Sequence, residues 1–174
     1  MIILDIEQGT DEWMRARAGI PSASNFSRIL SPTGKPSTQA TDYADELAGE
    51  LWHRSLGTFQ PEGSHSTDWM DRGQRLEAEA REAFAFMNDV DVQQVGFCLH
   101  DSREFGCSPD GLVGDDSGLE IKCPKRKNHF ITAKNRAMPA KYIPQVQGSM
   151  LVTGRSSWWF MSYYPGLPPA IISV

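Results

Sequence analysis

The chain has 174 residues, 40% hydrophobic and 22% charged, enough apolar material with interspersed charge for one globular domain over residues 1–174 with a substantial core. Its formal net charge of -5 argues against a protein that coats nucleic acid, which needs a basic field of its own. No apolar run reaches the roughly 20 residues of a membrane span, and Met1-Ile2-Ile3-Leu4-Asp5 lacks the basic region and cleavage site of a signal peptide, so a cytoplasmic protein without a membrane partner is expected.

In chain order, residues 11–18 predict a short helix, and Ser22 or Ser24 can cap a second that carries Phe26, Ile29 and Leu30 before Ser31-Pro32 stops it. After a polar loop, Tyr43, Leu47 and Leu51 recur every four residues and mark an amphipathic helix ending near Gly57. A loop is expected over 58–66. The following helix, about 67–87, places Gly73, Glu77, Ala80 and Phe84 on one stripe, so that Glu77 points along a small or apolar face. Glu79 and Glu82 read as surface charge, with Arg75 as a partner for Glu79.

The pattern then turns to strand. Val90, Val92, Val95, Phe97 and Leu99 alternate with polar residues, with a bulge suggested at Gln93 and Gln94, and a further strand includes Phe105 and Cys107. Gly111-Leu112-Val113, a turn over 114–118, and Leu119-Glu120-Ile121-Lys122 predict a hairpin. Helices are expected at about 128–137 and 140–153, the latter with Ile143, Val146 and Met150 as its core stripe and Pro144 in its first turn. The apolar run 156–164 predicts a strand buried on both faces, and 170–174 another strand. Ending on Ile171-Ile172-Ser173-Val174 without a polar tail is what a truncated chain would show.

Cys98, Cys107 and Cys123, odd in number and without a CxxC pair, indicate neither a disulfide framework nor a four-thiolate metal site. The four histidines form no metal-spaced cluster, and GxxxxGK[ST], HExxH and GxSxG are absent. A calcium loop from Asp110 fails at Leu112, Asp115 and Ile121. The basic residues Lys122, Lys125, Arg126, Lys127, Lys134, Arg136 and Lys141 occupy a stretch without Asp or Glu, which allows a local phosphate-binding surface or an ordinary solvated edge.

Folding the hairpin about Asp115 and Asp116 brings Asp110 opposite Glu120 or Ile121, and the strand period puts Glu120 and Lys122 on one face. Adjacent carboxylates repel, and a hard divalent cation such as Mg2+ or Mn2+ is the common reason to tolerate that. Such a cation activates water and offsets charge developing on a phosphodiester, while Lys122 could orient or deprotonate the attacking water. On the residues alone the motif remains open between a nuclease site and a charged turn between strands.

Ser108-Pro109-Asp110-Gly111-Leu112 followed by Leu119-Glu120-Ile121-Lys122-Cys123-Pro124 resembles the core of the phage lambda exonuclease family, a YqaJ-like branch of the PD-(D/E)xK nucleases. Glu7-Gln8-Gly9, Trp13, 17–24, 73–77 and 142–150 resemble further segments of that family, so the likeness covers nearly the whole chain apart from variable loops. The resemblance implies an α/β restriction-endonuclease-like fold with a central mixed sheet flanked by helices, and without the family's C-terminal helical stretch. It implies two Mg2+ ions, with Mn2+ as a substitute, held by Asp110, Glu120, the Ile121 carbonyl and Glu77, with Lys122 as catalytic lysine and Gln145 positioning the nucleophile. Arg17, Ser24 and Ser108 match the family's pocket for a 5′ phosphate, and Tyr142 falls in its later helical motif as a further substrate-binding residue. An arginine fork with hydroxyl donors can hold a terminal phosphate and so fix which bond is cut.

The activity implied is processive 5′→3′ degradation of one strand of linear duplex DNA to mononucleotides, in a phage or prophage protein working in a bacterial host as a ring-shaped homotrimer. The 3′ strand left behind would pass to a single-strand annealing protein for recombination. The competing readings are an endonuclease of the same superfamily and a non-catalytic DNA-binding or annealing module. The Arg17, Ser24 and Ser108 pocket argues against the first and the intact catalytic triad against the second.

Overall fold

The computed structural model describes residues 1–60 and 68–174, apart from the side chains of residues 68–71 and 74. The loop expected over 58–66 lies outside the described residues from 61 onward, as does His65. The chain forms two compact units interleaved in sequence, one of Met1–Ser64, Val95–Ser108 and Ala140–Gly154, the other of His65–Gln94, Pro109–Pro139 and Arg155–Val174. No described helix is long and apolar enough to cross a membrane.

The first unit contains β1 (Ile2–Leu4), α1 (Asp11–Arg17), a 3-10 turn (Ala23–Arg28) and α2 (Ala40–Ser55). Its later segments add β3 (Phe97–Leu99), β4 (Gly106–Cys107) and α5 (Ile143–Thr153), which a single 3-10 turn (Ala140–Tyr142) precedes. The three strands make an antiparallel sheet in the order β1-β3-β4. Thr10 caps α1 by accepting from the Trp13 N–H. The break before α5 follows from Pro144, which has no N–H to give and so marks the first turn of the helix proper. α5 packs on the 3-10 turn at Gly148, where any Cβ would run into the Phe26 ring.

The expected cap at Ser22 or Ser24 does not form: the segment is a 3-10 turn with Ser22 at its N-cap and no side-chain bond to the backbone. The leucine stripe of α2 is also shallower than its spacing predicts, since Tyr43 alone is buried and Leu51 is 49% exposed.

The second unit carries α3 (Asp68–Asn88), β2 (Val92–Gln93), β5 (Gly111–Val113) and β6 (Ser117–Lys122), then α4 (Arg126–Asn135), β7 (Ser157–Ser162) and β8 (Ala170–Ser173). Its sheet is mixed, in the order β2-β5-β6-β7-β8, with β6 and β7 parallel and the other neighbours antiparallel. The central strand is β6, whose Leu119 and Ile121 are fully buried in a cluster with Ala80 and Phe84 of α3, Met161 and Tyr163. Gly118 leaves room for the buried Trp158 ring of β7, which a Cβ there would strike.

The alternation from Val92 to Leu99 is not one bulged strand. β2 joins the five-stranded sheet and β3 the three-stranded one, and the side chain of Gln8 donates from Nε2 to the Val95 carbonyl at 2.8 Å where a ladder would otherwise continue. Gly96 passes against the Ile6 carbonyl so closely that only glycine fits. The Arg75–Glu79 pair is likewise replaced, because Glu79 accepts a hydrogen bond from the Tyr163 hydroxyl and this bond pushes the phenol up to about 12.

Candidate active site

The hairpin aligns its strands with Gly111 opposite Leu119, so Asp110 falls next to Glu120, as the sequence predicts. The Asp110 N–H donates to the Leu119 carbonyl at 3.1 Å, and Asp110 Oδ2 accepts the Ile121 N–H at 2.5 Å. The aspartate is thereby clamped to the strand that bears the glutamate. Glu120 is 2% exposed, and its Oε1 lies 2.5 Å from Lys122 Nζ, two residues along the same face of β6. Glu77 is half-buried on α3, where the glycine, alanine and phenylalanine stripe places it.

Burial pushes all three carboxyls above their ordinary range. For Glu120 it raises the value to about 7 against the attraction of Lys122, with Asp110 and Glu77 adding repulsion. Asp110 is raised by burial and held back by Lys122, the Ile121 N–H and Arg81. Glu77 is raised by burial and then by Asp110. The same surroundings, burial first and then the charges of Glu77 and Asp110, push the Cys123 thiol to about 12 and leave it inert as a nucleophile.

Buried carboxylates that raise one another are relieved by a cation, and an oxygen-only donor set suits a hard divalent one. Glu77, Asp110, Glu120 and the Ile121 carbonyl fit such an ion in kind. Among the described residues no three acidic, histidine or cysteine side chains are drawn into a ready-made cage, the offsetting charge on Glu120 being that of Lys122.

In the first unit, Arg17 Nη2 donates to Ser22 Oγ at 3.0 Å and to Ser24 Oγ at 3.5 Å, and the two hydroxyls lie 2.9 Å apart. The Arg17 guanidinium lies 3.9 Å over the Trp13 ring, whose Nε1 donates to Ser108 Oγ at 3.0 Å. Arg17 thus contacts Ser24 directly and is linked to Ser108 through Trp13. Burial lowers the Arg17 value, Tyr43 and Glu50 oppose it, and its buried Nε has no hydrogen-bond partner among the described residues. A guanidinium so desolvated is ready for an anion. The cluster borders a cavity of about 740 Å3 between α1 and α2, lined also by Tyr43, Glu50 and His53.

Gln145 and Tyr142 belong to the same unit, half-buried at the start of α5, with Lys141 Nζ 4.7 Å from the Tyr142 ring. Sequence reading misses three residues here. Arg81, four residues after Glu77, donates from Nε to the Asp110 carbonyl at 2.7 Å, tying α3 to the hairpin, and its helical spacing from Glu77 is the signal that could have found it. Ser22, 3% exposed, bridges Arg17 and Ser24 while its N–H donates to the Tyr43 hydroxyl at 3.2 Å. Trp13 joins Arg17 to Ser108, which nothing in its spacing foretells. His129 is buried and structural, with its ring nitrogens 3.0 Å from Ser162 Oγ and 3.2 Å from the Pro168 carbonyl.

Residues 12–156 match the YqaJ-like viral recombinase domain. No curated protein matches the chain. Among solved structures, an alkaline exonuclease from Laribacter hongkongensis, LHK-Exo, is 33% identical with a TM-score of 0.79, the alignment covering 95% of this chain and 81% of that one. LHK-Exo in complex with dAMP aligns at 34% identity and a TM-score of 0.78, covering 95% and 82%. A phage related exonuclease from Haemophilus somnus 129PT, at 18% identity and a TM-score of 0.57 over 82% and 67%, shares the fold. With the hairpin, its two carboxylates and its lysine all in register on a five-stranded mixed sheet, and the match running over most of its length, the chain belongs to the YqaJ-like viral recombinase family and has a PD-(D/E)xK nuclease fold.

Proposed function

We propose that this exodeoxyribonuclease degrades one strand of linear duplex DNA in the 5′→3′ direction from 5′-phosphorylated ends, and that it is a phage or prophage enzyme whose 3′ strand product feeds an annealing protein. The observation that carries the reading is the cluster of mutually repelling carboxyls, Glu77, Asp110 and Glu120, beside Lys122. Two Mg2+ ions, or Mn2+ in their stead, would be held by Asp110, Glu120, Glu77 and the Ile121 carbonyl. Bound there, they would supply Lewis acidity to the attacking water and to the phosphodiester. Lys122, paired with Glu120, is assigned two roles: as an uncharged amine it would orient the attacking water and take its proton, and as the ammonium so formed it would stabilise negative charge on the pentacoordinate phosphate.

Arg17, Ser24 and Ser108 are assigned the terminal phosphate, since a desolvated guanidinium beside hydroxyls gives a dianion both charge and donors. Gln145 would orient the nucleophile and Tyr142 contact the strand. The dAMP in the LHK-Exo complex is a mononucleotide, in keeping with release of single nucleotides here. A homotrimer would keep the enzyme on its track. The test is mononucleotide release from linear duplexes that differ only in a 5′ phosphate or hydroxyl, with Mg2+, Mn2+ or EDTA. Metal-dependent release that is faster from phosphorylated ends is expected. Equal rates on phosphorylated and hydroxyl 5′ ends would reject the phosphate pocket, and attack from the 3′ end would reject the polarity.

A further inference from the structure

The acid-free basic stretch that follows Lys122 is not used by the reaction as described. β6 ends at Lys122, and α4 begins four residues later at Arg126, in the same unit as the carboxylates. α4 is anchored by His129 and Thr132, both buried, His129 through Ser162 and Pro168. At 100° per residue, the face directly opposite those two anchors carries Lys127, Phe130, Ile131 and Lys134. All four are exposed, Phe130 by 60% and Ile131 by 43%. Among the described residues neither Lys127 nor Lys134 forms an ion pair with a carboxylate. The outward side of α4 is thus an aromatic ring and an aliphatic side chain set between two lysines.

We propose that this face of α4 binds single-stranded DNA, the lysines taking phosphates and Phe130 stacking on an unpaired base. This rests on the nuclease reading for the origin of such a strand, because removing one strand of a duplex leaves the other unpaired. The choice of single strand over duplex comes from Phe130. Bases in a duplex are already stacked and offer only their edges and backbone, whereas a free base offers a π-face. A purely basic helix would suit either form, but a basic helix with an exposed ring at its centre selects the unpaired one.

The test uses the full chain in EDTA, which prevents hydrolysis, and fluorescence anisotropy with an oligothymidylate of roughly 15 nucleotides, within the span of known single-strand sites. An abasic strand of equal length is the second probe. Phe130→Ala should weaken oligothymidylate binding roughly tenfold and leave the abasic strand nearly unaffected, and Phe130→Trp should restore the loss. Lys127→Gln with Lys134→Gln should weaken both probes and lower the salt dependence of binding by about 1.4 in the log-log slope, the share of two phosphates on a single strand. Circular dichroism melts should match the wild type, since every changed side chain is exposed.

Unchanged affinity for both probes in all variants would overturn the proposal. So would an equal loss on both probes in Phe130→Ala, which removes stacking as the cause. Smaller species in sedimentation with DNA affinity intact would make the face a protein interface and overturn it as well. A wild type that binds oligothymidylate through this face but releases no nucleotides from duplex would sink the proposed function and leave the α4 site standing.

Discussion

Replacing Glu120 by glutamine should make the protein inactive and, above neutral pH without metal, more stable. The carboxyl is 2% exposed and held up to about 7 by burial, from an ordinary 4.5. Between those values the native state binds a proton that the unfolded chain has released. The stability this contributes is complete below pH 4.5 and lost as pH rises through 7. At 1.36 kcal/mol per pH unit the loss comes to about 3 kcal/mol. Glutamine has the same shape and keeps an oxygen for Lys122, but it carries no charge to desolvate.

Urea unfolding of the wild type and Glu120→Gln, each in EDTA at pH 5 and pH 8, measures the difference. The two should be close at pH 5, and the variant should be ahead by up to about 3 kcal/mol at pH 8, with nuclease activity abolished. Millimolar Mg2+ should stabilise the wild type more than the variant, because a ligand that binds only the native state adds to its stability by mass action. Parallel pH profiles, or a variant less stable at pH 8, would refute the idea that burial of this charge strains the fold.

Lys122→Ala should keep DNA affinity while turnover falls by on the order of a hundredfold or more, read by single-turnover kinetics on a phosphorylated duplex. Near-normal turnover would take Lys122 out of the mechanism. Arg17→Ala should abolish the preference for 5′-phosphorylated over hydroxyl ends while slower cleavage persists, in a competition assay with both substrates. Asp116 accepts from the N–H and the hydroxyl of Ser156, and these bonds hold its carboxyl below the usual range. The stability they contribute is present above the ordinary carboxylate value and lost as pH falls through the lowered one. Asp116→Asn should therefore be the less stable protein at neutral pH, with the gap closing in acid unfolding curves.

The hairpin was legible in the sequence because both determinants of its register are local: the Gly114 to Ser117 turn, and the alternation that buries Leu119 and Ile121 while aligning Glu120 with Lys122. Glu77 was legible for a similar reason, its helix being periodic enough to expose a charge on the wrong stripe. The split of residues 92–99 between two sheets was not, because it depends on Gln8 and Ile6, about 90 positions away, meeting Val95 and Gly96. Ser22 reads as a helix cap in isolation. Its hydroxyl is instead captured by Arg17, a choice that only the three-dimensional placement of α1 decides. Arg81 carries a signal only in its helical spacing from Glu77, because its partner is a backbone carbonyl that leaves no side-chain pair to read.

The clamp between Asp110 Oδ2 and the Ile121 N–H divides one carboxylate between two duties. One oxygen stitches the loop at Asp110 to the middle strand of the sheet, and Oδ1 alone is left for chemistry. A shorter side chain would drop the stitch, and a glutamate would move the spare oxygen by a methylene. Asparagine can retain the stitch through its oxygen but turns an amide donor toward the place of Oδ1. Asp110→Asn is thus the substitution suited to making an intact but silent protein that holds its substrate uncut, a trap in which the bound DNA can be observed.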